Sequence, residues 1–98
     1  MIRLLLIDDD ITLTTLLAEY LQKDGFHLTV VNDGITGLRR CQQQQFDLII
    51  LDVMMPRKTG MEVCQILRSQ ADFANTLIII LTALNDEANH LKGFEVGA

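Results

Sequence analysis

The chain has 98 residues, 49% of them apolar, with 13 acidic against eight basic side chains and a net charge of −5 at pH 7. That length allows one domain, the apolar fraction excludes a disordered segment, and the acidic balance argues against nucleic-acid binding, which needs a basic face for phosphates. No apolar run approaches a membrane span, and the run at 2–7 is too short for a signal-peptide core, so the chain is expected to be cytoplasmic.

In chain order, strand and helix patterns alternate. Residues 2–7 form an apolar run with Arg3 near its start, expected to be the first strand; Asp8, Asp9 and Asp10 follow at once. Asp10 can cap the next helix, over 11–23, where Leu13, Leu16, Leu17, Tyr20 and Leu21 recur at helical spacing. Asp24 and Gly25 signal its end. Residues 27–31 suit a second strand. Asn32, Asp33 and Gly34 make a turn and helix start, with a weaker stripe of Ile35, Leu38 and Cys41 running to about residue 45. The glutamines at 42–45 read as a solvated helix end.

Residues 47–51 are a near-continuous apolar run, expected to be a third strand buried on both faces. It runs straight into Asp52. Pro56 and Gly60 punctuate the loop that follows, and a third helix is expected over 60–69 with Val63, Ile66 and Leu67 facing inward. Residues 77–81, LIIIL, are the most apolar run and the fourth strand. Asn85 or Asp86 would cap a fourth helix closed by Gly97. Helices alternating with parallel strands imply a doubly wound α/β sheet. Cys41 and Cys64 lack metal-ligand or redox spacing and read as buried small hydrophobes in a reducing compartment. His27 and His90 read as structural or solvated.

The chemistry lies at the strand ends. In a doubly wound sheet these ends share one edge, where such folds place their ligands. Strand one ends in Asp8 and Asp9, strand three in Asp52, and strand four in Thr82 and Ala83. Taken singly, Asp52 could cap a turn and Asp8 and Asp9 a helix. Taken together, three carboxylates in one crevice must hold protons or a cation. Oxygen ligands without His or Cys favour Mg2+ over zinc.

The combination of Asp8 and Asp9, Asp52 with Met55, Pro56 and Gly60, and Thr82 with Ala83 resembles the receiver domain of bacterial two-component response regulators, across the whole chain. LDVMMP with LTA is especially similar to receivers attached to winged-helix transcription regulators. The resemblance implies a flavodoxin-like doubly wound parallel sheet with strand order 2-1-3-4. It implies that Asp52 takes a phosphoryl group from a sensor histidine kinase. Asp9, Asp52 and the Met54 backbone carbonyl would ligate Mg2+, and Asp8 would act through a metal-bound water. Thr82 would hydrogen-bond a phosphoryl oxygen, Ala83 would leave room for the group, and Pro56 and Gly60 would shape the loop that aims Met54.

The family also has a fifth strand with a lysine that pairs with the phosphoryl group, and a fifth helix; neither is present in these 98 residues. The chain is therefore expected to be a receiver domain over 1–98 incomplete at its C-terminus, with DNA contacted only through an absent C-terminal domain. Lys58 and Lys92 do not replace that lysine, a charged hydrogen bond worth roughly 1.5–3 kcal/mol, so poor phosphoryl acceptance is expected. The bare edge of strand four invites a homodimer. Two other classes stand beside the phosphoacceptor: a receiver-like interaction module that is never phosphorylated, and a phosphatase-type Mg2+ hydrolase. The hydrolase would want an Asp where Met54 stands.

Overall fold

The computed structural model describes residues 1–55, 58–74 and 76–81. The expected fourth helix, with His90 and Lys92, and the predicted site residues Pro56, Thr82 and Ala83 lie outside the described residues.

Four parallel strands form one sheet in the order β2-β1-β3-β4. They are β1 (Arg3–Ile7), β2 (His27–Val31), β3 (Leu48–Asp52) and β4 (Leu77–Leu81), joined by α1 (Ile11–Lys23), α2 (Gly34–Gln43) and α3 (Gly60–Arg68). The expected α/β alternation and strand order are the ones observed. Leu4, Leu5, Leu6, Ile7, Ile49 and Leu51 are fully buried, as central parallel strands covered on both faces require. Leu5, Ile7, Ile49, Leu51, Ile78 and Ile80 form one core with Cys41 of α2 and Val63, Cys64 and Leu67 of α3. Strand alternation turns Leu4 and Leu6 to the opposite face, where they too are buried.

Local signals set most of the boundaries. The Asp10 side chain accepts from the Leu13 N–H and opens α1. At its other end the Gly25 N–H donates to the Gln22 carbonyl and the Phe26 N–H to the Leu21 carbonyl. That pair of bonds is a Schellman cap, and it needs the left-handed backbone of Gly25, at φ 90°. Asp33 caps α2 through the Thr36 N–H. Thr59 and Glu62 form a reciprocal capping box at the start of α3.

Several details depart from the expected pattern. β3 begins at Leu48 and ends on Asp52, one residue later than predicted. Asp47 is spent at the strand entrance, where its carboxylate accepts the Arg3 N–H at 2.8 Å, while Asp52 continues the ladder opposite Leu81. α2 stops at Gln43, because Gln44 turns to extended backbone. α1 buries Thr14 rather than its apolar stripe, and Leu16 and Tyr20 remain exposed. In α3 Cys64 is buried and Ile66 only half-buried. An unpredicted 3-10 turn (Ala71–Phe73) drops Phe73 into the core. Arg68 holds that turn, donating to the carbonyls of Phe73, Ala74 and Thr76 at 3.0, 3.1 and 2.6 Å.

Candidate functional site

The register of the sheet builds the site. Ile7 pairs with Leu51, so the next residues of the two segments, Asp8 and Asp52, stand side by side at the strand ends. Asp8 continues the ladder on its other side, its N–H reaching the Val31 carbonyl at 3.1 Å, and the Val53 N–H reaches the Leu81 carbonyl at 2.9 Å. Carboxylate oxygens of Asp8, Asp9 and Asp52 lie within 4.8 Å of one another. Asp8 is buried at 2% exposure, Asp52 is half-buried and Asp9 is open to solvent.

The surrounding groups orient this trio. Asp8 accepts the Asp10 N–H at 2.8 Å, so the residue that caps α1 also fixes the Asp8 carboxylate. The Asn32 side-chain amide donates to the Asp8 backbone carbonyl at 2.9 Å. Sequence reading saw Asn32 only as turn chemistry; its place directly after β2, the strand beside β1, was the available signal. The Met54 N–H is hydrogen-bonded to the Asp52 carboxylate. Met54 itself is exposed, with its side chain directed away from the core.

Electrostatics shows what the trio lacks. Burial, and then the charge of Asp8, pushes the Asp52 pKa from 3.8 to about 6. Burial also raises the Asp8 pKa, with the Asp10 N–H opposing and the charges of Asp9 and Asp10 adding to the rise. Carboxylates this close hold a proton or a cation. Three hard oxygen donors with an open side suit a small divalent ion that keeps part of its water shell. Predicted ligands Asp8, Asp9 and Asp52 are thus brought together, and Met54 stands next to them through its main chain. Among the described residues no other group of three potential ligands converges in this way.

A model of the response regulator receiver domain matches residues 4–98. The chain belongs to that family. As a receiver domain it is 41% identical over 96 residues to the transcriptional regulatory protein CpxR of Escherichia coli, covering 98% of this chain and 40% of the relative. It is 36% identical over 96 residues to the alkaline phosphatase synthesis transcriptional regulatory protein PhoP of Bacillus subtilis, covering 98% and 39%. The receiver domain thus spans about two fifths of the length of these curated relatives. Among solved structures it superposes on the chemotaxis response regulator CheY4 of Vibrio cholerae with TM-score 0.91 and 34% identity, covering 100% of this chain and 82% of that one. A second neighbour is the receiver domain of the sensor histidine kinase PA1611 of Pseudomonas aeruginosa, described with a magnesium ion coordinated in its active site cleft. The TM-score there is 0.83 at 30% identity, covering 93% and 77%. These neighbours share the flavodoxin-like fold.

Proposed function

We propose that this receiver domain is the phosphoacceptor of a two-component response regulator, with Asp52 as the accepting residue. The observation that carries the proposal is the convergence of Asp8, Asp9 and Asp52 from the ends of two neighbouring strands. Asp9 and Asp52, with the Met54 backbone carbonyl, would hold Mg2+ directly and Asp8 would hold it through water. When bound, the ion supplies positive charge to the carboxylates and to the incoming phosphoryl oxygens. An Asp52 oxygen then attacks the phosphorus of a sensor kinase's phosphohistidine, and the P–N bond breaks with its electrons leaving on the imidazole. The Asp10 N–H and the Asn32 amide keep Asp8 in place. Thr82 would donate its hydroxyl to the transferred group, and Ala83 would leave space for it.

In a protein of the length of its relatives, the proposed output is transcription through a further DNA-binding domain, since those relatives are named transcriptional regulators. The proposed setting is the cytoplasm; no described helix is long and apolar enough to cross a membrane. Self-association is proposed to run along β4, where Leu77 and Ile79 are exposed and pairing among the described residues is with β3 alone. The family match and the complete acidic trio favour phosphoacceptance over an interaction module that is never phosphorylated.

The test is phosphotransfer from a phosphorylated histidine kinase or a small phosphodonor. Any label the chain takes up, however slow, should require Mg2+, and Asp52→Asn should carry none. Label of equal yield in Asp52→Asn, or label independent of divalent cation, would refute the assignment.

A further inference from the structure

We infer that Asn32 is a positioning residue for the cation site, acting on Asp9 through the peptide unit that joins Asp8 to Asp9. The inference rests on the Mg2+ reading above and assigns the aim of one proposed ligand to a side chain that follows the neighbouring strand, β2.

Asp8 is held at three atoms. Its N–H donates to the Val31 carbonyl at 3.1 Å, its carboxylate accepts the Asp10 N–H at 2.8 Å, and its carbonyl accepts the Asn32 side-chain amide at 2.9 Å. The third bond completes the β1–β2 ladder with a side chain. The His27 N–H donates to the Ile2 carbonyl, and the parallel register runs unbroken from Arg3 opposite His27 to Ile7 opposite Val31. Continued by its own alternation, that pattern would bring the main-chain N–H of residue 33 to the Asp8 carbonyl. β2 ends at Val31 instead, and Asp33 opens α2, its carboxylate accepting the Thr36 N–H at 2.7 Å and the Thr36 hydroxyl at 2.8 Å. The Asn32 amide supplies the rung as the chain turns away.

What that rung fixes lies one residue further on. A peptide unit is planar, so anchoring the Asp8 carbonyl sets the plane that carries the Asp9 N–H and Cα. With it goes the direction in which the Asp9 side chain leaves the backbone. The Asp8 carboxylate has the Asp10 N–H as a separate support. Asp9 is exposed, and its carboxylate reaches that of Asp52. Metal–ligand distances tolerate only about 0.2 Å. A peptide plane free to rock would carry the Asp9 oxygens out of range while Asp52, on β3, stayed in place. Asp47 makes the comparable bond at the other end of β1, its carboxylate accepting the Arg3 N–H at 2.8 Å, away from the trio.

The experiment compares Asn32→Ala with Asp47→Ala, which removes a side-chain bond at the far end of the same strand. Mn2+ is the probe, followed by titration and by the electron paramagnetic resonance spectrum of the bound ion; urea unfolding gives stability separately. Asn32→Ala should fold cooperatively and bind Mn2+ at least about tenfold more weakly, the scale of a lost supporting contact, with an altered spectrum for the ion that does bind. Asp47→Ala should lose stability yet keep Mn2+ affinity within about twofold. The penalty of Asn32→Ala should persist in an Asp8→Asn background, which keeps the Asp8 main chain. In the unsubstituted chain, Mg2+ should shift the Asn32 side-chain amide resonances with the same dissociation constant as the Asp9 main-chain amide. Unchanged Mn2+ affinity in Asn32→Ala, an equal loss in Asp47→Ala, a penalty that vanishes in Asp8→Asn, or Asn32 amide resonances unmoved by Mg2+ would each overturn the inference. Absence of Mn2+ binding by the unsubstituted chain would instead sink the cation reading beneath it.

Discussion

Asp52 governs the pH response of this domain. Its carboxyl holds a proton in the folded chain up to about pH 6, whereas the ordinary value is 3.8. Between those values the folded state binds more protons than the unfolded state, so this contribution to stability is greatest below about pH 4 and declines as pH rises through 6. Asp8 shifts in the same direction. Asp52→Asn should flatten the decline in the urea midpoint between pH 4 and 7 and be the more stable protein at pH 7, by at most ~3 kcal/mol. An undiminished slope in the variant would show that the carboxylates do not strain one another. Asn32→Ala should cost about 1 kcal/mol through the lost bond to the Asp8 carbonyl, measured by the same unfolding curves.

At the scale of elements, α3 is the connection on which the site depends. Its capping box starts it, Gly60 lets it approach β3, and Arg68 ends it by gathering three carbonyls of the segment leading to β4. Thr59→Ala should remove about 1 kcal/mol of stability by opening the cap. Arg68→Ala should cost on the order of 1.5–3 kcal/mol, the value of a charged donor to carbonyls, and expose the β3–β4 connection to hydrogen exchange ahead of β1. Equal protection in the variant would remove Arg68 from this role. α1 behaves differently. Its stripe of leucines and Tyr20 is broader than the face the sheet covers, so Thr14 is buried and Leu16 and Tyr20 face out.

At the scale of the molecule, cation binding and folding are linked because the three carboxylates meet only in the folded chain. Mg2+ at a hundred times its dissociation constant should add about 2.7 kcal/mol, raising the melting temperature by about 10–20 °C for a domain of this size. Asp9→Asn should abolish most of that gain; an equal gain in the variant would place the ion elsewhere. The exposed Leu77 and Ile79 of β4 should make association concentration-dependent, read by light scattering across a dilution series. A constant monomer mass would exclude self-association along β4.

The amino-acid sequence by itself determined the alternation of strands and helices and the acidic residues at the strand ends. Those signals are local: apolar runs, capping side chains and a glycine stop act within a few residues of one another. α1, β2 and β4 accordingly have their predicted bounds, and Asp8, Asp9 and Asp52 lie where the strand ends were expected to meet. Only the tertiary structure decided that Asp8 is buried while its neighbour Asp9 is open, that Asn32 supports Asp8, that Arg68 spans the turn to β4, and that Gly60 touches Asp52. Each of these depends on which surfaces meet and how closely, and distances between segments remote along the chain leave no periodic mark in the order of its residues.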